Sequence, residues 1–272
     1  MNLTNNEISQ IKKMVSSERF EKYCELVDSD QAAIELHQDI IRLGAALAPI
    51  IATIEIALRN TVYNCLKIYF KHEGWLESDL KVLNLKEQEK NKIILARKQA
   101  QKALYSKMSQ ADKRNLDTLD TLDTKVMDKQ LSHEDRSKKR QKKIMVSYDQ
   151  VIANTTMYFW KRLYSTDYQK ELWDTALKKT FPNKKLKRKD VAENLEIIYQ
   201  TRNRLAHHEP VYGYRMDRVI SAINFIINNL GRSDCAEDSG LKKLLNTDLE
   251  NLSQCAERLK NKINPTPPSA AH

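Results

Sequence analysis

From Asp30 to about Phe70 the chain carries one long helical pattern, with Ala33, Ile34, Leu36, Ile40, Ile41, Leu47, Ile50, Ile54, Ala57 and Leu58 on its apolar positions. Beyond Pro49 the pattern is apolar on most faces, which predicts a central helix around which the remaining elements must pack. Pro49 deletes one helical hydrogen bond and predicts a kink or a break. Only 5 glycines and 6 prolines punctuate the 272 residues, and 41% of the chain is apolar, so the fold class expected is all-α. The longest uncharged apolar stretch, Leu43 to Ile54, is interrupted by Pro49 and is shorter than a membrane span. It reads as a buried core helix, with no membrane partner.

Residues 5 to 28 carry a weaker helical period and predict one or two short helices. Between residues 80 and 144 the character changes: 18 Lys and Arg face 9 Asp and Glu, and Tyr105 is the lone aromatic. Thin, helically spaced apolar residues there (Ile94, Ala100, Ala103, Leu104, Met108) predict a basic helical arm projecting from the core. Aromatics return in Met157, Tyr158, Phe159, Trp160, Tyr164, Tyr168 and Trp173, at a spacing that predicts core. A second basic cluster, Lys178 to Lys189, precedes a helix expected from Asp190 as N-cap to about His208. The organisation expected is an N-terminal segment (1–30), a core formed by 31–78 and 145–232, a basic insertion (79–144), a C-terminal helix (233–263) and a disordered tail (264–272).

The formal net charge of +10 directs attention to polyanions, nucleic acid before acidic lipid. The residues expected to touch RNA are Lys184, Lys185, Lys187, Arg188 and Lys189 in the second cluster and Arg136, Lys138, Lys139 and Arg140 in the insertion. Cys24, Cys65, Cys235 and Cys255 follow no C-x-x-C spacing and stand near no zinc-type histidine pair, so no metal and no cofactor are expected. Reduced thiols and an N-terminus without a signal-peptide pattern predict a cytoplasmic protein.

The stretch Y-Q-T-R-N-R-L-A-H-H-E-P, Tyr199 to Pro210, is the one segment that argues for a reaction. An arginine grips phosphate oxygens, an amide orients a neighbour, and an imidazole moves a proton near neutral pH. On a helical wheel with Leu195 at zero, Arg202 falls near 340°, inside the apolar sector of Ile198, Tyr199, Leu205 and Ala206. Arg204 lies opposite, and Asn203 and His207 sit on the flank at about 80° and 120°. A buried guanidinium requires a carboxylate, a phosphate or a subunit groove, and Glu55 on the long helix is the expected carboxylate. Glu55 and Arg59 stand four residues apart, as an intrahelical ion pair does, with Asn60 beside them. Arg202 and His207 diverge by about 140° and so act together only along a groove, such as one between two copies of the helix about a twofold axis.

The segments E-I-A-L-R-N (Glu55 to Asn60) and R-N-R-L-A-H-H-E-P (Arg202 to Pro210), with F-W-K-R-L-Y ahead of the second, resemble the Abi-like family of abortive-infection proteins within the HEPN superfamily. The resemblance covers about residues 31 to 75 and 145 to 230. It implies a HEPN-like helical bundle, a homodimeric or paired active site, and metal-independent cleavage of RNA through an R-x(4)-H motif. That motif maps onto Arg202, Asn203 and His207, with Glu55, Arg59, Asn60 and His208 lining the site. Some members of the superfamily carry a tyrosine two residues after the histidine, where nucleotide transfer silences them; this chain has Glu209 there. A bound RNA or an antitoxin protein is the inhibitor that this departure leaves. Set against the ribonuclease is a non-catalytic RNA-binding protein whose motif ties helices together.

Overall fold

The computed structural model describes residues 3–77, 83–119, 132–231 and 239–263, and every regular element among them is helical, as expected. The α-helices are α1 (Asn5–Val15), α2 (Ser17–Cys24), α3 (Asp30–Phe70), α4 (Glu87–Lys107), α5 (Gln110–Asn115), α6 (His133–Lys142), α7 (Tyr148–Ala153), α8 (Met157–Arg162), α9 (Arg188–Ala206), α10 (Tyr214–Asn229), α11 (Gly240–Leu244) and α12 (Asn246–Ile263). The chain divides into two compact units, residues 1–61 with 178–272 and residues 62–177. The tail expected at 264–272 and Cys235 lie outside the described residues. Cys24, Cys65 and Cys255 are thiols rather than disulfide partners.

In the first unit α3 supplies the spine. Leu36, Ile40, Leu43, Leu47, Ile50, Ile54 and Leu58 are all buried and recur at steps of three and four, a single seam along one face. Val191, Leu195 and Ile198 of α9, Val219, Ile223 and Ile226 of α10, and Leu252 and Leu259 of α12 complete the core. The helix continues through Pro49 instead of breaking there. Pro49 and Ala45, whose carbonyl loses its usual donor, are both exposed, so solvent can take the bond that the proline removes. Continuity also corrects the expectation about length: α3 is long and apolar enough to cross a membrane, and 39% of its most apolar window is buried. A second, uncovered face explains that share, since Ile41 (58% exposed), Ala45, Ala48, Ala52 and Ile56 (53% exposed) form an apolar stripe open to solvent.

The last helix is tied to the spine by charge. Lys262 of α12 lies 2.7 Å from Asp39 and 3.4 Å from Glu35, and Arg42 lies 2.8 Å from Asp39. Burial pushes the Asp39 carboxyl up, but the bonds from Lys262 and Arg42 outweigh it and hold the group below its ordinary range.

In the second unit α4, within the basic segment, does not project. Correcting the expected arm, α4 packs on α7 and α8 and buries Ile93, Ala96 and Ala100. Its Glu89 is fully buried and accepts hydrogen bonds from Arg162 (2.9 Å) and the Tyr168 hydroxyl (2.9 Å), while Tyr168 also accepts from the Lys86 backbone N–H (3.0 Å). Burial and the neighbouring Glu89 carboxylate drive the Tyr168 hydroxyl well above its usual range, so it stays a donor. The aromatics fill this unit's core as expected, with Phe159, Trp160, Tyr164, Tyr168 and Trp173 all buried. They do so from short helical turns rather than one helix, and the Trp160 indole donates to Thr155 Oγ1 at 2.8 Å.

A carboxyl whose pKa is depressed by folding contributes stability that is complete above its unfolded pKa and drains away as pH falls through the folded value. Replacing Lys262 by Met is therefore expected to cost about 1 to 2 kcal/mol at neutral pH, with the difference from wild type shrinking below about pH 4. Urea titrations across that range check both parts; a difference independent of pH would remove Asp39 from the account.

Candidate functional site

Helix α9 begins two residues earlier than Asp190, at Arg188. Lys187 is the N-cap and Asp190 is the third helical residue, its carboxylate reaching back to accept the Lys187 backbone N–H at 2.8 Å. That corrects the capping assignment without moving the helix off the motif. Thr201, Ile198, Leu195 and Val191 form the buried face.

The far end of α9 closes in a tight carbonyl-capping turn. The His208 N–H donates to the Leu205 carbonyl at 3.1 Å and the Glu209 N–H to the Arg204 carbonyl at 2.8 Å, the paired bonds of a Schellman motif. His208 occupies the position where glycine is usual and carries φ 54°, a left-handed conformation that costs a non-glycine residue about 1 to 2 kcal/mol. The Arg204 guanidinium adds an ion pair to Glu209 at 2.7 Å across the same turn. His207, the C-cap, is thereby held at a fixed exit from the helix.

Arg202 corrects the expectation that it points into the core. It lies in the same angular sector as Leu195 and Ile198, yet it is exposed. Ala206, also expected on the buried face, is exposed, and Tyr199 and Leu205 are half-buried. The side chains of Arg202 and His207 make no hydrogen bond or ion pair among the described residues, and Asn203 beside them is half-buried. Nor does Glu55 serve Arg202. Glu55 pairs with Arg59 at 3.6 Å, one turn along α3, both of them half-buried, with Asn60 exposed beside them. Gly44 is where α9 rests on α3, since a Cβ there would stand 3.2 Å from the Leu205 side chain. Glu55 is eleven residues further along, about 16 Å on a helix axis. One chain does not gather Glu55, Arg202 and His207 at a single point.

What the turn does border is a cavity of about 360 Å³, walled by Ile40, Ala45 and Leu205, with Arg19, His37 and His208 supplying its polar groups. Arg19 and His37 were missed by sequence reasoning. His37 stands among the apolar positions of α3 between Ile34 and Ile40 and gave no signal of spacing. Among the described residues its Nδ1 is buried without a hydrogen-bond partner, its ring lies 5.6 Å from that of Tyr23, and burial, with help from Arg19, pushes its pKa down, which favours the neutral imidazole.

The expected RNA contacts fall into two groups. Lys184, Lys185, Lys187 and Lys189 are exposed at the start of α9 and Arg188 is half-buried. In α6, Arg140 corrects its assignment: its guanidinium is committed to Asp117, Nε to Oδ1 at 2.8 Å, and is largely shielded. Lys138 pairs with Glu134 one turn away at 2.7 Å, and Arg136 and Lys139 are half-buried. No group of three or more His, Cys, Asp and Glu side chains stands ready for a metal ion among the described residues.

His208→Gly is expected to raise stability by about 1 kcal/mol, because glycine carries no penalty at positive φ. Denaturant midpoints check it, and a lower midpoint would mean that the imidazole's contacts in the cavity outweigh the backbone strain. No protein-family model matches the chain, and no curated protein or solved structure matches it either.

Proposed function

We propose that the protein is a metal-independent endoribonuclease that works as a twofold dimer, with Arg202, Asn203 and His207 as its catalytic residues. The observation that carries this reading is Arg202 itself: an exposed arginine in the apolar sector of α9 whose side chain makes no hydrogen bond or ion pair among the described residues. A surface with that layout is suited to a second copy and a phosphate. The open stripe from Ile41 to Ile56 on α3 supplies an apolar face for the second copy.

In this reading the 2′-oxygen of a ribose attacks the adjacent phosphorus as one His207 takes its proton. The 5′-oxygen leaves with a proton from the partner's His207, giving a 2′,3′-cyclic phosphate and a free 5′-hydroxyl. Arg202 holds the charge that builds on the phosphate oxygens, and the Asn203 amide orients its neighbours. The turn at His208 fixes the backbone from which the His207 imidazole projects. A role in abortive infection, and control by a bound RNA or an antitoxin protein, rest on the resemblance of Arg202 to Pro210 to the Abi-like family. Cytoplasmic location, with no membrane partner, belongs to the same proposal.

Mixed RNA is expected to be cut in the presence of EDTA by the wild type, with cyclic phosphate ends, and about 100-fold more slowly or less by Arg202→Ala and His207→Ala proteins of unchanged helical content. Cutting by all three alike, or by none, overturns the ribonuclease reading; the second reading, a non-catalytic RNA-binding protein, is favoured by the divergence of Arg202 from His207 within one chain. Sedimentation should give a dimer that Ile41→Asp breaks along with activity. A wild-type monomer that floats with lipid vesicles would assign the α3 stripe to a membrane instead.

A further inference from the structure

Helices α9 and α10 pack side by side within the first unit, and along their outer flanks they bound a cleft of about 760 Å³. Its α9 wall carries Asn194, Gln200 and Arg204, and its α10 wall carries Arg215 and Arg218. Along α9 the cleft residues Glu193, Glu196, Gln200 and Arg204 recur at steps of three and four, which is one stripe, and His207 is the next position on it. The cleft therefore runs towards the motif histidine.

On α10, Tyr214 and Arg218 are four apart and Arg215 and Arg218 three apart, so all three share a face. Tyr214 is 74% exposed, with the Arg218 guanidinium 5.5 Å from its ring centroid. An aromatic ring left in solvent at the rim of an arginine-bearing cleft adds nothing to the core, whereas base stacking uses that ring and that cation together. Arg215 and Arg218 pair with no carboxylate among the described residues, while Arg204 is held by Glu209. Glu193 and Glu196 on the opposite wall repel phosphate, which places a polyanion's backbone on the α10 side. The amides of Asn194 and Gln200 donate to the Asp190 carbonyl and the Glu196 carboxylate, so their own carbonyl oxygens remain to accept from the edge of a base.

We propose that this cleft is the track for a single strand of RNA, with phosphates on Arg215 and Arg218, a base stacked on Tyr214, and the strand led to His207. A duplex keeps its bases stacked on one another and offers Tyr214 nothing, which is why the strand is single. The identity of the strand as RNA rests on the ribonuclease reading; the cleft assignment itself does not.

The test is fluorescence anisotropy of the full chain with a labelled 2′-O-methyl single strand, which cannot undergo attack by a 2′-oxygen. Tyr214→Ala is expected to weaken binding about tenfold. Arg215→Gln with Arg218→Gln is expected to flatten the slope of log affinity against log salt by about 1.4. All three side chains are exposed, so circular dichroism should show the fold intact. The triple variant binding with unchanged affinity and slope overturns the assignment, as does a duplex of the same sequence losing as much affinity as the single strand in Tyr214→Ala. If the wild type binds in the expected pattern but leaves a 2′-hydroxyl strand uncut, the cleft stands and the ribonuclease reading falls.

Discussion

The seam of leucines and isoleucines along α3 is the constraint from which the first unit follows. Seven residues from Leu36 to Leu58 are withdrawn from water on one face, and at about 1.5 to 3 kcal/mol for each fully buried aliphatic side chain no other element contributes as large a continuous share. Burying that seam takes α9, α10 and α12, and their packing fixes where the end of α9 emerges. The motif turn is consequently a product of core packing, with Leu205 seated against Gly44 and the polar side chains left on the outside.

Much of this was legible from the residues. The bounds of α3 were readable because a 3.6-residue period persists through forty residues, and the aromatic segment announced its burial through ring density. Pro49 misled because a wheel says nothing about exposure at one point: an outward-facing carbonyl loses its donor at small cost. Arg202 misled for a related reason. Angular position predicts burial only where a neighbouring element extends alongside, and the sequence carries no measure of where that neighbour stops. Glu55 had two readings in the sequence, as a partner for Arg202 across space and as an ion pair with Arg59 one turn away, and the nearer partner is the one it takes.

The basic insertion shows how composition overstates availability. Its excess charge is real, yet Arg140 is held by Asp117 and Lys138 pairs with Glu134, so a count of cations does not say which of them are unpaired. Asp117 ties the insertion to itself by accepting from the Arg140 guanidinium of α6. His37 and Arg19 escaped notice for the opposite reason. Each stands alone in its sequence neighbourhood, and only the fold of α2 against α3 makes them neighbours of the motif turn.

The buried Glu89 has one more consequence. A carboxylate with no exposed surface, satisfied by Arg162 and Tyr168, makes the start of α4 a structural dependent of the aromatic segment and the reverse. Cutting out the basic stretch would leave the buried Tyr168 phenol without its acceptor and Arg162 with Asp167 as its remaining carboxylate, a penalty that the phenol cannot relieve from its buried position. The basic stretch is thus no removable cassette grafted onto a helical domain, and shortening it through α4 would require the interior around Tyr168 and Arg162 to be rebuilt.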